Sequence, residues 1–78
     1  MRLETYRSRA ERLAAQAEGA AITGQPQRAA ELRAEAVQLL DEGGRALDAE
    51  SLAMMRLRDT IAEAPEKERE HLARLTAR

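Results

Sequence analysis

Apolar residues recur along this chain at steps of three and four, the spacing of one face of an α-helix. Leu3, Tyr6, Ala10, Leu13, Ala17 and Ala20 make the first such seam, widened by Ala14 and Ala21. Arg, Glu, Gln, Ser and Thr fill the other faces, so the pattern predicts a helix over 2–22. Alternating three- and four-residue steps are the a/d spacing of a coiled coil. The later half of this seam is nearly all alanine, which lets a partner backbone approach closely. Ala29, Leu32, Ala36, Leu39 and Leu40, with Val37 on one shoulder, predict a second helix over 26–42. Leu47, Met54, Leu57 and Ile61 predict a third over 45–63. Leu52, Met55 and Ala62 lie off that line and widen the stripe, as in a helix with two neighbours.

A short fourth helix is predicted over 66–77. Glu66, Glu68 and Glu70 fall at its start, where carboxylates complement the helix dipole. Leu72 and Leu75 are its only anchors, so it is expected to fray. Leu57→Ala is accordingly expected to cost more stability than Leu72→Ala. No segment alternates with period two, so no strand is expected.

The breakers agree with these bounds. Thr23-Gly24-Gln25-Pro26 reads as a turn followed by a helix start, because proline tolerates the first helical position. Ala64-Pro65 is another break, since proline disfavours helix in the residue before it. Gly43-Gly44 admits two readings. Two glycines cost a helix interior about 1 kcal/mol each relative to alanine, which favours an end at 42. Yet Ala36, Leu40, Gly43, Leu47, Met54 and Ile61 keep a helical phase across the pair. One long helix over 26–63, crossed closely by another at the glycines, also satisfies the pattern.

The fold class expected is all-α: one domain over 1–78, a helical hairpin or three-helix bundle with a short C-terminal helix. Its packing is expected to be antiparallel and coiled-coil-like. Composition adds a reason for self-association. Seventeen residues are alanine and Tyr6 is the only aromatic, so little is available to fill a core. A domain near this size gains only ~3–5 kcal/mol from a single core. Without cysteine, no disulfide or thiolate zinc site can add to that. A homodimer, the commonest oligomer, is therefore expected. Leu3, Tyr6, Leu13, Leu47, Met54, Leu57 and Ile61 are assigned to the core and to self-association.

Thirteen basic and fourteen acidic residues are interleaved along the chain, as on solvated helix faces. No apolar run approaches the ~20 residues that span a bilayer, so no membrane association is expected. The opening MRLETYRSRAER has no apolar secretory core, so a cytoplasmic location is expected. Arginine outnumbers lysine twelve to one, a bias of GC-rich bacterial genes. Small helical proteins of this kind are common as plasmid or phage accessory factors.

The hairpin 10–40 is similar to a single tetratricopeptide unit in its small residues (Ala17, Ala29, Ala36), its turn glycine (Gly24) and Leu13 and Leu39. The large aromatic positions of that repeat are Gln16, Ala20 and Arg33 here or nearby, and no second copy follows. The similarity is that of any tight αα-hairpin and implies nothing about function.

Catalytic chemistry finds little support. The serines are Ser8 and Ser51 and the one histidine is His71, with no spacing that suggests a triad. His71, in Glu-Arg-Glu-His, reads as a solvated surface residue. Acidic residues read as exposed helical pairs such as Glu70–Arg74 and Arg56–Asp59, worth ~0.2–0.5 kcal/mol each. The glycines do not make a phosphate-binding loop. The expectation is no enzyme, no cofactor, no metal and no small-molecule substrate.

Two binding readings remain. Met54-Met55 lies on the widest apolar face, and methionine suits adaptable interfaces. Asp41, Glu42, Asp48 and Glu50 form an acidic waist that could steer a basic partner. Leu52, Met55 and these four carboxylates form the candidate partner surface. The expected function is a small non-enzymatic protein–protein interaction module, an adaptor or an inhibitor or regulator of a larger partner, acting as a helical homo-oligomer. The alternative is a nucleic-acid-binding regulator using Arg2, Arg7, Arg9 and Arg12, with Arg69, Arg74 and Arg78 near the other end. Arginine suits phosphate contacts, but Glu4 and Glu11 interrupt the cluster and no aromatics are interleaved for base stacking.

Overall fold

The computed structural model describes residues 3–46 and 51–77, with side chains over 6–44 and 52–77. Among these residues the chain forms four helices and no strand: α1 (Leu3–Ile22), α2 (Pro26–Ala46), α3 (Ser51–Ala62) and α4 (Glu66–Thr76).

Local chemistry sets the first turn. Gly24 takes φ +77°, a conformation that L side chains rarely adopt. This lets the Gln25 N–H donate to the Ala20 carbonyl (2.9 Å) and the Gly24 N–H to that of Ala21 (3.1 Å). The two bonds make a Schellman motif and satisfy the last carbonyls of α1. Thr23 adds its hydroxyl to the carbonyls of Gly19 and Ala20. Pro26 then opens α2, and the Gln25 carbonyl accepts the Ala29 N–H at 3.0 Å.

Gly43-Gly44 does not end a helix. The expected end at 42 and restart at 45 are corrected: α2 runs through both glycines to Ala46, and α3 begins at Ser51. The single long helix is overturned as well, because α3 folds back along α2. Arg58 reaches Asp41, and Arg33 reaches the Ile61 carbonyl. Gly43 serves the close crossing foreseen at the glycines. A Cβ there would lie 2.7 Å from Met54 Sδ and 2.9 Å from Tyr6 Cγ. The close packing of both side chains on bare backbone offsets the ~1 kcal/mol that glycine costs a helix.

α2 is the central helix, with α1, α3 and α4 each packed on it. The main core joins Ala10 of α1, Ala36, Val37 and Leu40 of α2, and Met54 and Ile61 of α3. Tyr6, Leu13 and Leu57 pack against it half-buried. A second cluster at the turn end holds Ala17, Ala29 and Leu32, and a third holds Ala30, Ala64 and Leu72. The order of contacts makes α1 and α2 antiparallel, from Ala17–Ala29 near the turn to Tyr6–Gly43 at the far end. Five residues assigned to the core and self-association, Tyr6, Leu13, Met54, Leu57 and Ile61, are thus occupied within one chain. Leu47 lies outside the described residues, as does the side chain of Leu3.

The anchors of α4 differ from those expected. Leu72 is buried and Leu57 is only half-buried, so burial favours the larger cost at Leu72. Leu75, the second expected anchor, is exposed. The helix instead takes Glu68 into the interior.

Candidate interaction surface

Among the described residues, two places depart from a plain helical bundle. The first is an ion pair beneath α4. Arg33 falls inside the apolar stripe of α2, one turn from Ala29 and Ala30 and one turn from Ala36 and Val37. Its Nε donates to Glu68 Oε1 at 2.6 Å, and the Glu68 side chain is 1 % exposed. Its Nη1 donates to the Ile61 carbonyl at 3.2 Å. That carbonyl stands four residues before Pro65, which has no N–H to offer it. Arg33 therefore caps the end of α3 and pairs with Glu68 in the first turn of α4 at once. Arg69 makes a smaller version of the same contact, its Nε donating to the Ala64 carbonyl at 3.1 Å. Among the described residues, no buried side-chain nitrogen or oxygen lacks a hydrogen-bond partner. The expectation that acidic residues pair only on exposed faces is corrected here, because Glu68 is buried against a cation 35 positions away.

The second place is the outer face of α3. Consecutive helical residues point about 100° apart. Met54 therefore enters the core over Gly43 while Met55 turns to solvent. Leu52 and Met55, three positions apart on that outer face, are 59 % and 55 % exposed. Of the expected acidic waist, Asp41 and Glu42 lie among the described residues. Arg58 Nε donates to Asp41 at 2.8 Å, so Asp41 ties α3 to α2. Glu42, half-buried, accepts a long hydrogen bond from Gln38 Nε2. Asp48 and Glu50 lie outside the described residues.

No known family model, curated protein or solved structure matches this chain. Among the described residues no cluster of three His, Cys, Asp or Glu could hold a metal ion. None of the described helices is long and apolar enough to cross a membrane. His71 is half-buried beside the α1–α2 turn, not fully solvated as expected. Glu70 and Arg74 form the predicted surface pair, whereas Asp59 pairs with Arg58 at 3.2 Å and not with Arg56.

Arg7, Arg9 and Arg12 are exposed on α1. Two residues along a helix is a rotation of about 200°. Arg7 therefore points away from Arg9, and only Arg9 and Arg12 share a flank. Arg2 lies outside the described residues. Sequence reasoning missed the pairing of Arg33 with Glu68. The available signal was a lone cation inside the apolar stripe of α2.

Proposed function

We propose that the protein is a small non-enzymatic interaction module, an adaptor or regulator that binds a larger protein and works as a homo-oligomer. The observation that carries this reading is the Leu52–Met55 pair. Two large apolar side chains stand more than half exposed on one helix face, in a chain with few large apolar side chains to spend. Methionine adapts its shape to a partner without a fixed rotamer. Asp59 and Arg56 on the same helix are exposed and supply a polar rim.

The test is affinity capture from the source cells with the intact protein and with the Leu52→Glu, Met55→Glu variant. Both changes are on the surface, so the variant should keep its urea midpoint. A protein retained by the wild type and lost by the variant is the expected result. An identical captured set overturns the reading. Light scattering of the wild type checks the homo-oligomer, and a single-chain mass at all concentrations removes that part. The nucleic-acid reading has a separate check. Phosphate-driven binding to mixed DNA and RNA would appear at low salt and fall steeply as salt is added. The divergent aim of Arg7 and Arg9 argues for no binding.

A further inference from the structure

The seam between α2 and α4 is selective in a way that most apolar seams are not. Its α2 side is Ala30, Ala34 and Arg33, and its α4 side is Leu72 and Glu68, with Ala64 just before the helix. Leu72 is the one large apolar side chain that α4 buries. An alanine face with one leucine against it would tolerate many helices in many registers. The buried guanidinium of Arg33 does not tolerate them. A buried charge without its partner is strongly destabilising, although a complete pair often contributes no more than apolar packing would. Any helix lying on this seam must therefore bring a carboxylate to Arg33 and a leucine one turn further on.

We infer that this seam is a selective acceptor for an acidic helix of the form Glu-x-x-x-Leu, and that a second copy of the chain fills it by exchanging α4. The second copy is the occupant that needs no new chemistry, because its Glu68 and Leu72 offer the same carboxylate and the same leucine in the same register, leaving only the Ala64 contact of the connection to be remade. α4 is also the element best placed to leave. It packs chiefly on α2, and a connection of three residues, 63–65, joins it to α3. Exchange of an identical element is a low-cost route to a dimer. The inference rests on the self-association part of the proposed function and gives it a structural route. The Leu52–Met55 face stays open for a different protein.

The test uses two full-length chains, Arg33→Glu and Glu68→Arg. Alone, each has like charges at the seam and should lose α4, with a lower urea midpoint. Mixed in equal amounts they are complementary only across chains. The glutamate introduced on α2 of one chain meets the arginine introduced on α4 of the other, and the unchanged Arg33 and Glu68 meet in the second seam. The expected result is a 1:1 heterodimer by native mass spectrometry, with helicity above the mean of the separate samples. A mixture that behaves as the sum of its parts overturns the exchange. Should either variant fail to fold, the wild type itself decides. In a sample mixing isotope-labelled and unlabelled chains at a concentration where dimers form, exchange gives Leu72–Ala30 contacts between chains. Dimers with only within-chain contacts overturn the exchange and leave self-association by another face intact. A strictly monomeric wild type overturns both.

Discussion

α2 meets two of its neighbours by opposite means. Against α1 it presents chiefly small residues: Ala29 and Ala36, fully buried like Ala17 and Ala10, with Leu32 buried beside Ala29. Against α4 it presents a cation flanked by Ala30 and Ala34, which meet Glu68 and Leu72 of α4. The alanine seam gains from closeness. Each alanine contributes little burial, and much of the stability comes from many short contacts along two long helices. The α4 seam depends on one interaction that cannot be half-made. The first should yield gradually to substitution and the second abruptly.

The largest effect is therefore expected at Glu68. Glu68→Ala leaves Arg33 buried and unpaired, at a cost of ~3–5 kcal/mol. That is close to the whole net stability of a domain this small. Urea titration followed by circular dichroism should show α4 lost or the chain unfolded. Replacing both partners, Arg33→Met with Glu68→Leu, should recover most of the midpoint. A double variant no better than Glu68→Ala would show that the cost lies elsewhere than in the stranded charge.

Leucines sharpen the contrast. Leu72→Ala should cost ~2–5 kcal/mol as a core truncation, and Leu57→Ala clearly less, since Leu57 is only half-buried. Equal shifts in urea midpoint would contradict the packing of α4 described above. On the alanine seam, Ala17→Leu forces the helices apart, with an expected loss of ~1–3 kcal/mol from overpacking. A neutral result there would mean that α1 slides easily on α2.

The smallest effects separate two adjacent glycines. A Cβ at Gly44 meets nothing within 4 Å, so Gly44→Ala should raise stability by up to about 1 kcal/mol. At Gly43 the same change collides with Met54 and Tyr6 and should lower it. Thermal midpoints that move in the same direction for both would place the α3 crossing elsewhere.

These elements differ in how far the sequence foretold them. Turns were legible because glycine and proline act locally: Gly24 and Pro26 end α1 and begin α2 with no help from distant residues. The inward faces of α1 and α3 were legible from periodicity, and Met54 and Ile61 lie where the stripe put them. Gly43-Gly44 was ambiguous because propensity and packing oppose each other there, and packing depends on Met54 and Tyr6 arriving from other helices. Arg33–Glu68 was obscured for the same reason. Glu68 looks like a first-turn carboxylate complementing a dipole until α4 is folded onto α2. The candidate surface was legible as residues and not as geometry. Leu52 and Met55 were singled out by falling off the stripe, whereas the pairing of Asp41 with Arg58 required the hairpin between α2 and α3.

Tyr6 gives the molecule an uncommon optical property. It is the only aromatic residue in the chain, and its ring rests on the bare backbone of Gly43. All near-ultraviolet absorbance and intrinsic fluorescence from aromatic side chains therefore originate at that one junction, where α1 and α3 close over the far end of α2. The chain carries a single built-in spectroscopic probe, and the probe packs on the α1–α2–α3 cluster, not on the α2–α4 one. Release of α4 would leave the tyrosine signal unchanged while the far-ultraviolet spectrum lost helix, and opening of the far end would do the reverse.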